Sequence, residues 1–495
     1  MPLSKEYKKL IFGIKLKQYR SAKKLSLQSL SKESGISVSY LNEIEKGKKY
    51  PKEEKIIALS KCLEVPFKEL TSEHLGNTLA PVSELLQSGI LSELPLELFG
   101  LELNRLTDLL SNAPTKLNAF IGTLLEVSRN YDLRVETFYF SVLRSYQEIH
   151  NNFFEDIEQS VESFIELHQI DTSVPITTKQ LEQLLKSQYN YTLKYDSFES
   201  HESLNDLRTL MLPKKKPKLL LNTKLNSRQR AFNLAKELGF KYLKLKERPY
   251  ASPWVEITAF DQVLNNFKAS YFATALLINR KSFLKDLKVF FEKDKWNSDI
   301  LINTMRDYNA TPEMVLQRMT NLLPKYFGLK ELFFFRFNNI PFSDIFRLSK
   351  ELHLSRKHSP RGTVLQEHFC RRWMFISILN DLAELHKNTG KLEEIGGAQI
   401  DKYHETGEEF LVLSMARPLY PTPGVNSSLS LGIRLDENAR EKIKFLADPL
   451  IQTKIVNDTC ERCNAQNCKE RVAPPYVYNA LKQEKERREA VKKIK

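Results

Sequence analysis

Ser26-Leu27-Gln28-Ser29-Leu30-Ser31-Lys32-Glu33-Ser34-Gly35-Ile36-Ser37-Val38-Ser39-Tyr40-Leu41-Asn42-Glu43-Ile44-Glu45-Lys46-Gly47 is the stretch that decides the fold of the amino-terminal segment. Ser26 is placed to cap a helix over Leu27 to Ser34, Gly35 supplies a turn, and Ser37 caps a second helix that runs to about Glu45 before Gly47 stops it. Leu27, Leu30, Ile36, Leu41 and Ile44 fall where two such helices must pack against Ile14, Leu16 and Ile57. Two short helices meeting at a glycine let the first cross the backbone of a DNA duplex while the second turns its amino-terminal side chains to the major groove. The residues left exposed there are Ser37, Val38, Ser39, Tyr40, Asn42 and Glu43, small or hydrogen-bonding groups suited to base edges. Lys46, Lys48 and Lys49 follow, well placed for phosphates. A helical hairpin that contacts other proteins is the alternative reading.

Charge points the same way. The chain of 495 residues carries a formal +14, and its first 70 residues hold 16 Lys/Arg against 8 Asp/Glu, a net +8. Such a basic terminal segment neutralises phosphates and releases their counterions, the main source of non-specific DNA affinity. At 41% hydrophobic and 27% charged residues the composition is that of a folded globular protein, long enough for three or four domains. The first residues contain lysines but no apolar run of signal-peptide length, and no stretch of about 18 apolar residues follows, so a cytoplasmic protein with no membrane partner is expected. Five cysteines do not make a secreted disulfide framework; their uneven distribution indicates a metal or redox site.

The expected architecture is multidomain, mostly α with an α+β carboxy-terminal part. Residues 5–70 form a helical domain in which Pro66 opens a last short helix, and residues 81–212 form a helical connecting region, as the spacing of Phe138, Val142, Leu143, Tyr146 and Ile149 shows. A boundary is expected at Pro213-Lys214-Lys215-Lys216-Pro217, before a short strand at Leu219-Leu220-Leu221, so that residues 213–345 form a third region. It ends with the buried strand Leu332-Phe333-Phe334-Phe335-Arg336-Phe337, closed by Pro341. Residues 346–478 mix a helix over 371–386 with strands at 410–416 and 429–435, and residues 479–495 are a charged, solvated helical tail. Gly396-Gly397 reads as a turn, and no glycine-rich phosphate loop is present.

Cys460-Glu461-Arg462-Cys463-Asn464-Ala465-Gln466-Asn467-Cys468 places three thiols within nine residues, with Cys370 upstream. Four thiolates satisfy either a 4Fe-4S cluster or tetrahedral zinc. Three clustered cysteines and a distant one favour the cluster over the paired C-x-x-C of a zinc ribbon. His368 in place of Cys370 at a zinc site, or simply reduced buried thiols, are the alternatives, and Cys62 reads as a buried apolar residue.

Several segments carry family resemblances. Leu30-Ser31, Gly35-Ile36-Ser37, the run from Tyr40 to Gly47, and Pro51 resemble the Cro/phage-repressor (XRE) helix-turn-helix family. That resemblance implies a five-helix domain and a homodimer on a two-fold operator. Residues 226–240 resemble the helix that carries His-Glu-x-x-His in ImmA/IrrE-type zinc peptidases, in which two imidazoles four residues apart hold zinc and the glutamate is the base. Here Lys236 and Phe240 stand at the histidine positions and Asn266 where the family supplies a third, carboxylate ligand, so a degenerate zincin-like region without hydrolysis is expected, with Glu237 a solvated helix residue. Cys468-Lys469-Glu470-Arg471-Val472-Ala473-Pro474-Pro475, with 356–363 and Glu367-His368-Phe369-Cys370-Arg371-Arg372-Trp373, is similar to the short-chain fatty-acyl regulator family. That resemblance implies control of short-chain acyl metabolism with an acyl-CoA as effector. Arg361, Arg371 and Arg372 are candidates for the phosphates of coenzyme A, and Trp373 and Phe369 for its acyl or adenine pocket. An exposed helix face for the arginines and a core position for Trp373 are the alternatives; Tyr403 and Arg417 are weaker effector candidates.

Overall fold

The computed structural model describes residues 5–72, 135–196, 198, 202–354 and 367–494. Residues 81–134 of the expected connecting region, and Arg361, lie outside the described residues. Contacts divide the chain into two compact units, Met1–Val142 and Leu143–Lys495.

Among the described residues of the first unit up to Ser72, five helices enclose one core: α1 (Lys5–Ala22), α2 (Leu27–Ser34), α3 (Val38–Glu45), α4 (Glu53–Leu63) and α5 (Phe67–Thr71). The local signals act as read. Ser26 Oγ accepts from the backbone N–H of Ser29 at 3.0 Å, and Ser37 Oγ from that of Tyr40 at 3.3 Å. Gly35 closes α2 in the left-handed region, at φ 67°. Phe12, Leu16, Leu30, Ile36, Leu41, Ile44, Ile56 and Leu59 form the core. Ile57 does not join it: α4 turns Ile56 inward and leaves Ile57 at 42% exposure, so the expected packing partner is one position off. Lys15, although buried, donates from Nζ to the carbonyls of Glu69 and Ser72, both at 2.7 Å, and so ties α1 to the end of α5.

In the second unit, helices α7 (Glu155–Leu167) and α8 (Thr178–Tyr189) follow α6 (Val135–Ile149), which runs across the division. A four-stranded sheet comes next, in the order β1-β3-β2-β4, from β1 (Thr192–Asp196), β2 (Thr209–Leu212), β3 (Lys218–Asn222) and β4 (Ala251–Ser252). β1 is parallel to β3 and the other pairs are antiparallel. Pro213 to Pro217 is therefore the turn of the β2–β3 hairpin, and the sheet continues through the expected boundary. Helices α9 (Ser227–Tyr242), α10 (Phe260–Leu277), α11 (Arg280–Phe291), α12 (Ser298–Asp307) and α13 (Pro312–Leu322) lead to a six-stranded sheet.

That sheet has the order β10-β7-β8-β9-β5-β6 and comprises β5 (Leu332–Asn339), β6 (Phe346–His353), β7 (Ile395–Tyr403), β8 (Glu409–Pro418), β9 (Asn426–Arg434) and β10 (Gln452–Val456). All pairs are antiparallel except β10 with β7. The boundary expected at 345 falls between β5 and β6 of this one sheet. Its two faces differ. Phe335 and Phe337 point to α14 (Met374–Thr389), where the Phe337 and Phe375 rings stack at 4.8 Å. Gly396-Gly397 lies inside β7 and is not a turn: a side-chain carbon on Gly397 would come within 2.2 Å of Met374 Cε, so the glycine lets α14 lie flat on the strand. Beyond a short helix α15 (Glu437–Lys442), the chain ends in the exposed helix α16 (Tyr476–Ile494), as the charged pattern implied. Among the described residues no helix is long and apolar enough to cross a membrane.

Candidate nucleic-acid interface and ligand sites

Helix α3 carries the expected reading surface. Ser37, Val38 and Ser39 are exposed, and Tyr40, Asn42, Glu43 and Lys46 half-buried. Arg20 fixes the far end of the helix: Nε and Nη2 donate to the two Glu45 carboxylate oxygens at 2.6 and 2.9 Å, and Nη1 donates to the Leu25 carbonyl at 2.8 Å. The lysine loop is anchored too, because the backbone N–H groups of Lys48 and Lys49 both donate to the Glu43 carbonyl, at 2.9 and 3.3 Å. The exposed ammonium groups of Lys48 and Lys49 thus sit on a fixed loop, the arrangement that phosphate contacts require. Tyr40 braces α4, with Lys55 Nζ 4.0 Å from its ring centroid.

The helix with the degenerate peptidase pattern is α9, and Asn226 begins it with a capping box to Gln229. Glu237 is not solvated, as the sequence suggested, but 4% exposed. Arg248 grips both its oxygens, at 2.8 and 2.5 Å, and Tyr191 donates its hydroxyl at 3.2 Å. Burial disfavours the charged guanidinium, but Glu237 outweighs that and holds Arg248 firmly protonated. Lys236 is buried beside them; desolvation, then the charge of Arg248, lowers its ammonium to about 7. A zinc ion does not fit here, because an amine and the Phe240 ring replace both imidazoles.

α9 also faces the six-stranded sheet. Arg228 pairs with Glu394 at 3.1 Å, and Gln229 Nε2 donates to the Tyr420 carbonyl at 3.1 Å. The sheet face turned away from α14 carries Arg336, Asn338, Ser427 and Arg417, with Arg417, Ser427 and Asn338 in one cross-strand row. Arg208, just before β2, shares its electrostatic surroundings with Arg336 and Arg417, and Lys236 in turn feels Arg208. Burial lowers Arg208 to about 10 and also lowers Arg417. Glu313, in the first turn of α13, is the main counter-charge to Arg208 and is held by Arg336 at 3.1 Å and Lys350 at 2.9 Å, while Arg417 has Glu394 before it. Arg208 is half-buried, between the buried Leu207 and Thr209. Arg208 Nε, Arg417 Nε, Asn338 Oδ1 and Ser427 Oγ are buried atoms with no hydrogen-bond partner among the described residues. Unsatisfied donors on deep cations suit an anion.

Of the effector candidates read from sequence, Trp373 is fully buried in the aromatic core with Phe369 and Phe375. Arg371 lies over the Phe346 ring at 4.5 Å, and Arg372 pairs with Glu470 at 2.8 Å. Tyr403 is buried in the same core as Trp373.

The cysteine segments meet through an antiparallel bridge between Phe369 and Thr459. Cys370 N–H donates to the Asp458 carbonyl at 3.2 Å, and Cys460 N–H to that of His368 at 2.9 Å. A tight turn follows, in which Cys463 N–H donates to the Cys460 carbonyl at 3.3 Å and Ala465 N–H to Cys463 Sγ at 3.4 Å. Arg471 binds the carbonyls of Cys460, Cys463 and Ala465. Cys370 feels the charges of Cys460 and Cys463, and burial pushes its thiol up to about 11. Cys468 donates to Glu470 at 3.6 Å, while His368 is paired through Nδ1 with Glu461 at 2.7 Å. Among the described residues no three His, Cys, Asp or Glu side chains converge on one metal position. Cys62 is half-buried against the core of the first unit.

Comparisons with known proteins match two parts of the chain. Residues 16–70 match the helix-turn-helix family model and residues 188–320 the IrrE N-terminal-like domain. No curated protein matches the chain. Among solved structures, a Mycobacterium tuberculosis transcriptional regulator is similar at 16% identity and a TM-score of 0.46, over 68% of this chain and 93% of that one. The chain thus combines an XRE-type helix-turn-helix DNA-binding domain with an IrrE-like domain.

Proposed function

We propose that the chain is a ligand-responsive transcription regulator that binds double-stranded DNA as a homodimer and reads an anionic effector, a short-chain acyl-CoA, at the cation cluster of Arg208, Lys236, Arg336 and Arg417. The observation that carries the effector reading is the pair of buried Nε donors without a partner, on Arg208 and Arg417, beside the further cations Arg336 and Lys236. Coenzyme A presents phosphates, and guanidinium groups meet phosphate bidentately. Arg208 and Arg417, with their Nε donors unsatisfied, are better suited to this than Arg371 and Arg372, whose guanidinium groups already bond Asp344 and Glu470. An effector shifts DNA affinity only if it binds the two conformational states unequally.

The experiment is DNA binding by fluorescence anisotropy at fixed salt, with acetyl-, propionyl- or butyryl-CoA. At least one thioester should change affinity by roughly 10-fold, within the usual range of coupling energies. The change should vanish in Arg208→Met/Arg417→Met while effector-free DNA binding stays as in the wild type. The same affinity with every thioester would remove this ligand.

A second reading adds a metal. Cys370, Cys460, Cys463 and Cys468 would hold a 4Fe-4S cluster, with zinc as the alternative. The donor class fits, since the Ala465 N–H on Cys463 Sγ and the Arg471 brace are supports that a thiolate loop needs. Such a group would supply an iron- or redox-dependent input. Iron, sulfide and zinc analysis of anaerobically prepared protein distinguishes the two, and none of the three would remove the site.

A further inference from the structure

Glu237 and Arg248 do more than fill a vacated peptidase site. In a His-Glu-x-x-His helix the glutamate lies beside a metal cation held by two imidazoles. In α9 the glutamate is retained at Glu237, and the cation beside it is a guanidinium. Arg248 meets Glu237 through two hydrogen bonds, and its guanidinium carbon lies 3.8 Å from the centroid of Phe240, at the second histidine position. Lys236, at the first histidine position, lies on the same ring, with Nζ at 5.8 Å. The third position is close by: Asn265 Nδ2 donates to the Glu247 carbonyl at 2.8 Å, and the neighbouring Asn266 Oδ1 is buried with no partner among the described residues. Lys236 and Phe240 thus flank Arg248, and α10, which carries Asn266, bonds through Asn265 to the segment that delivers it.

We infer that the guanidinium of Arg248 takes the electrostatic place of the metal in this IrrE-like domain. Glu237 keeps its carboxylate as the partner of that fixed cation. A buried carboxylate with no cation beside it would be strongly disfavoured, so a chain that loses metal ligands but keeps the glutamate must supply a positive charge from within. Arg248 does so, and its aromatic stacking on Phe240 uses the ring that replaced histidine. The domain therefore needs no metal at this position.

The test restores the ligands in the full-length chain, with zinc binding measured relative to the wild type so that the cysteine site cancels. Lys236→His/Phe240→His/Asn266→Glu with Arg248 intact should bind no additional zinc. Adding Arg248→Ala should create one additional equivalent. An additional equivalent already present in the triple variant would overturn the inference, as would a folded quadruple variant that gains none. Should the quadruple variant not fold, a double-mutant cycle decides. Glu237→Gln and Arg248→Met should each lower the thermal midpoint, and the double variant should lose clearly less than the two losses combined. Additive losses would overturn it.

Discussion

Replacing Gly13 with valine should remove DNA binding from the full-length protein while leaving the second unit folded. A side-chain carbon at this position would stand 2.3 Å from the Ile44 carbonyl oxygen and 2.9 Å from that of Glu45. Those oxygens belong to the last turn of α3, which cannot move without disturbing Ile44 in the core and the Arg20–Glu45 pair. The obstacle is backbone, so no side-chain rotation relieves it. Overpacking of this kind costs about 3 kcal/mol or somewhat more, and a loss of that size in the binding-competent state is roughly 100-fold in affinity. Anisotropy titration on DNA, with hydrogen exchange to follow the amides of α3, measures both consequences. Wild-type affinity in the valine variant would mean that α1 and α3 are not packed as described.

The second large effect belongs to Arg318. Its side chain is fully buried, with both terminal nitrogens on Glu158 and Nε donating to the Ile278 carbonyl at 3.1 Å. Tyr271 adds a hydroxyl to Glu158 at 2.8 Å. Burial alone would raise the Glu158 pKa, yet Arg318 outweighs it and holds the carboxyl below its ordinary range. Arg318→Met leaves that buried carboxylate with Tyr271 and the more distant Arg280 Nε, at 3.8 Å, and loss of one partner of a buried pair costs about 3–5 kcal/mol. Glu158→Met/Arg318→Met should recover most of the loss, because two apolar residues of similar volume replace a buried pair at little cost. Urea unfolding of the three variants gives the comparison. A single variant as stable as the wild type would contradict the pairing.

How much of this was legible in sequence depends on how local each cause is. Capping serines, Gly35 and the apolar spacing of α2 and α3 act within a few residues, and the helix-turn-helix could be read from them. The Ile56/Ile57 slip shows the limit, since helical phase at α4 is set by its neighbours. Strands rich in apolar residues, β3, β5, β8 and β9, were visible, whereas β7 was hidden by its glycines, whose purpose is to admit α14. Glu237 was misread because its partner lies eleven residues on, beyond the helix, and nothing in the local pattern signals Arg248. The cluster of cations was least legible of all. Arg208, Lys236, Arg336 and Arg417 come from separate elements, and only the register of β5, β8 and β9 puts two of them on one face. Arg417 was singled out in the sequence, but its partners were not.

The central claim is that α3 reads a DNA duplex while the lysine loop after it holds the phosphates. Its most direct measurement is a salt-dependent titration of the intact protein against genomic fragments, repeated with Asn42→Ala and Lys48→Ala. The wild type should retain a preferred fragment, Asn42→Ala should lose the preference, and Lys48→Ala should weaken every fragment alike and reduce the salt slope by about 1. Failure of the wild type to retain any fragment at low ionic strength would contradict the account.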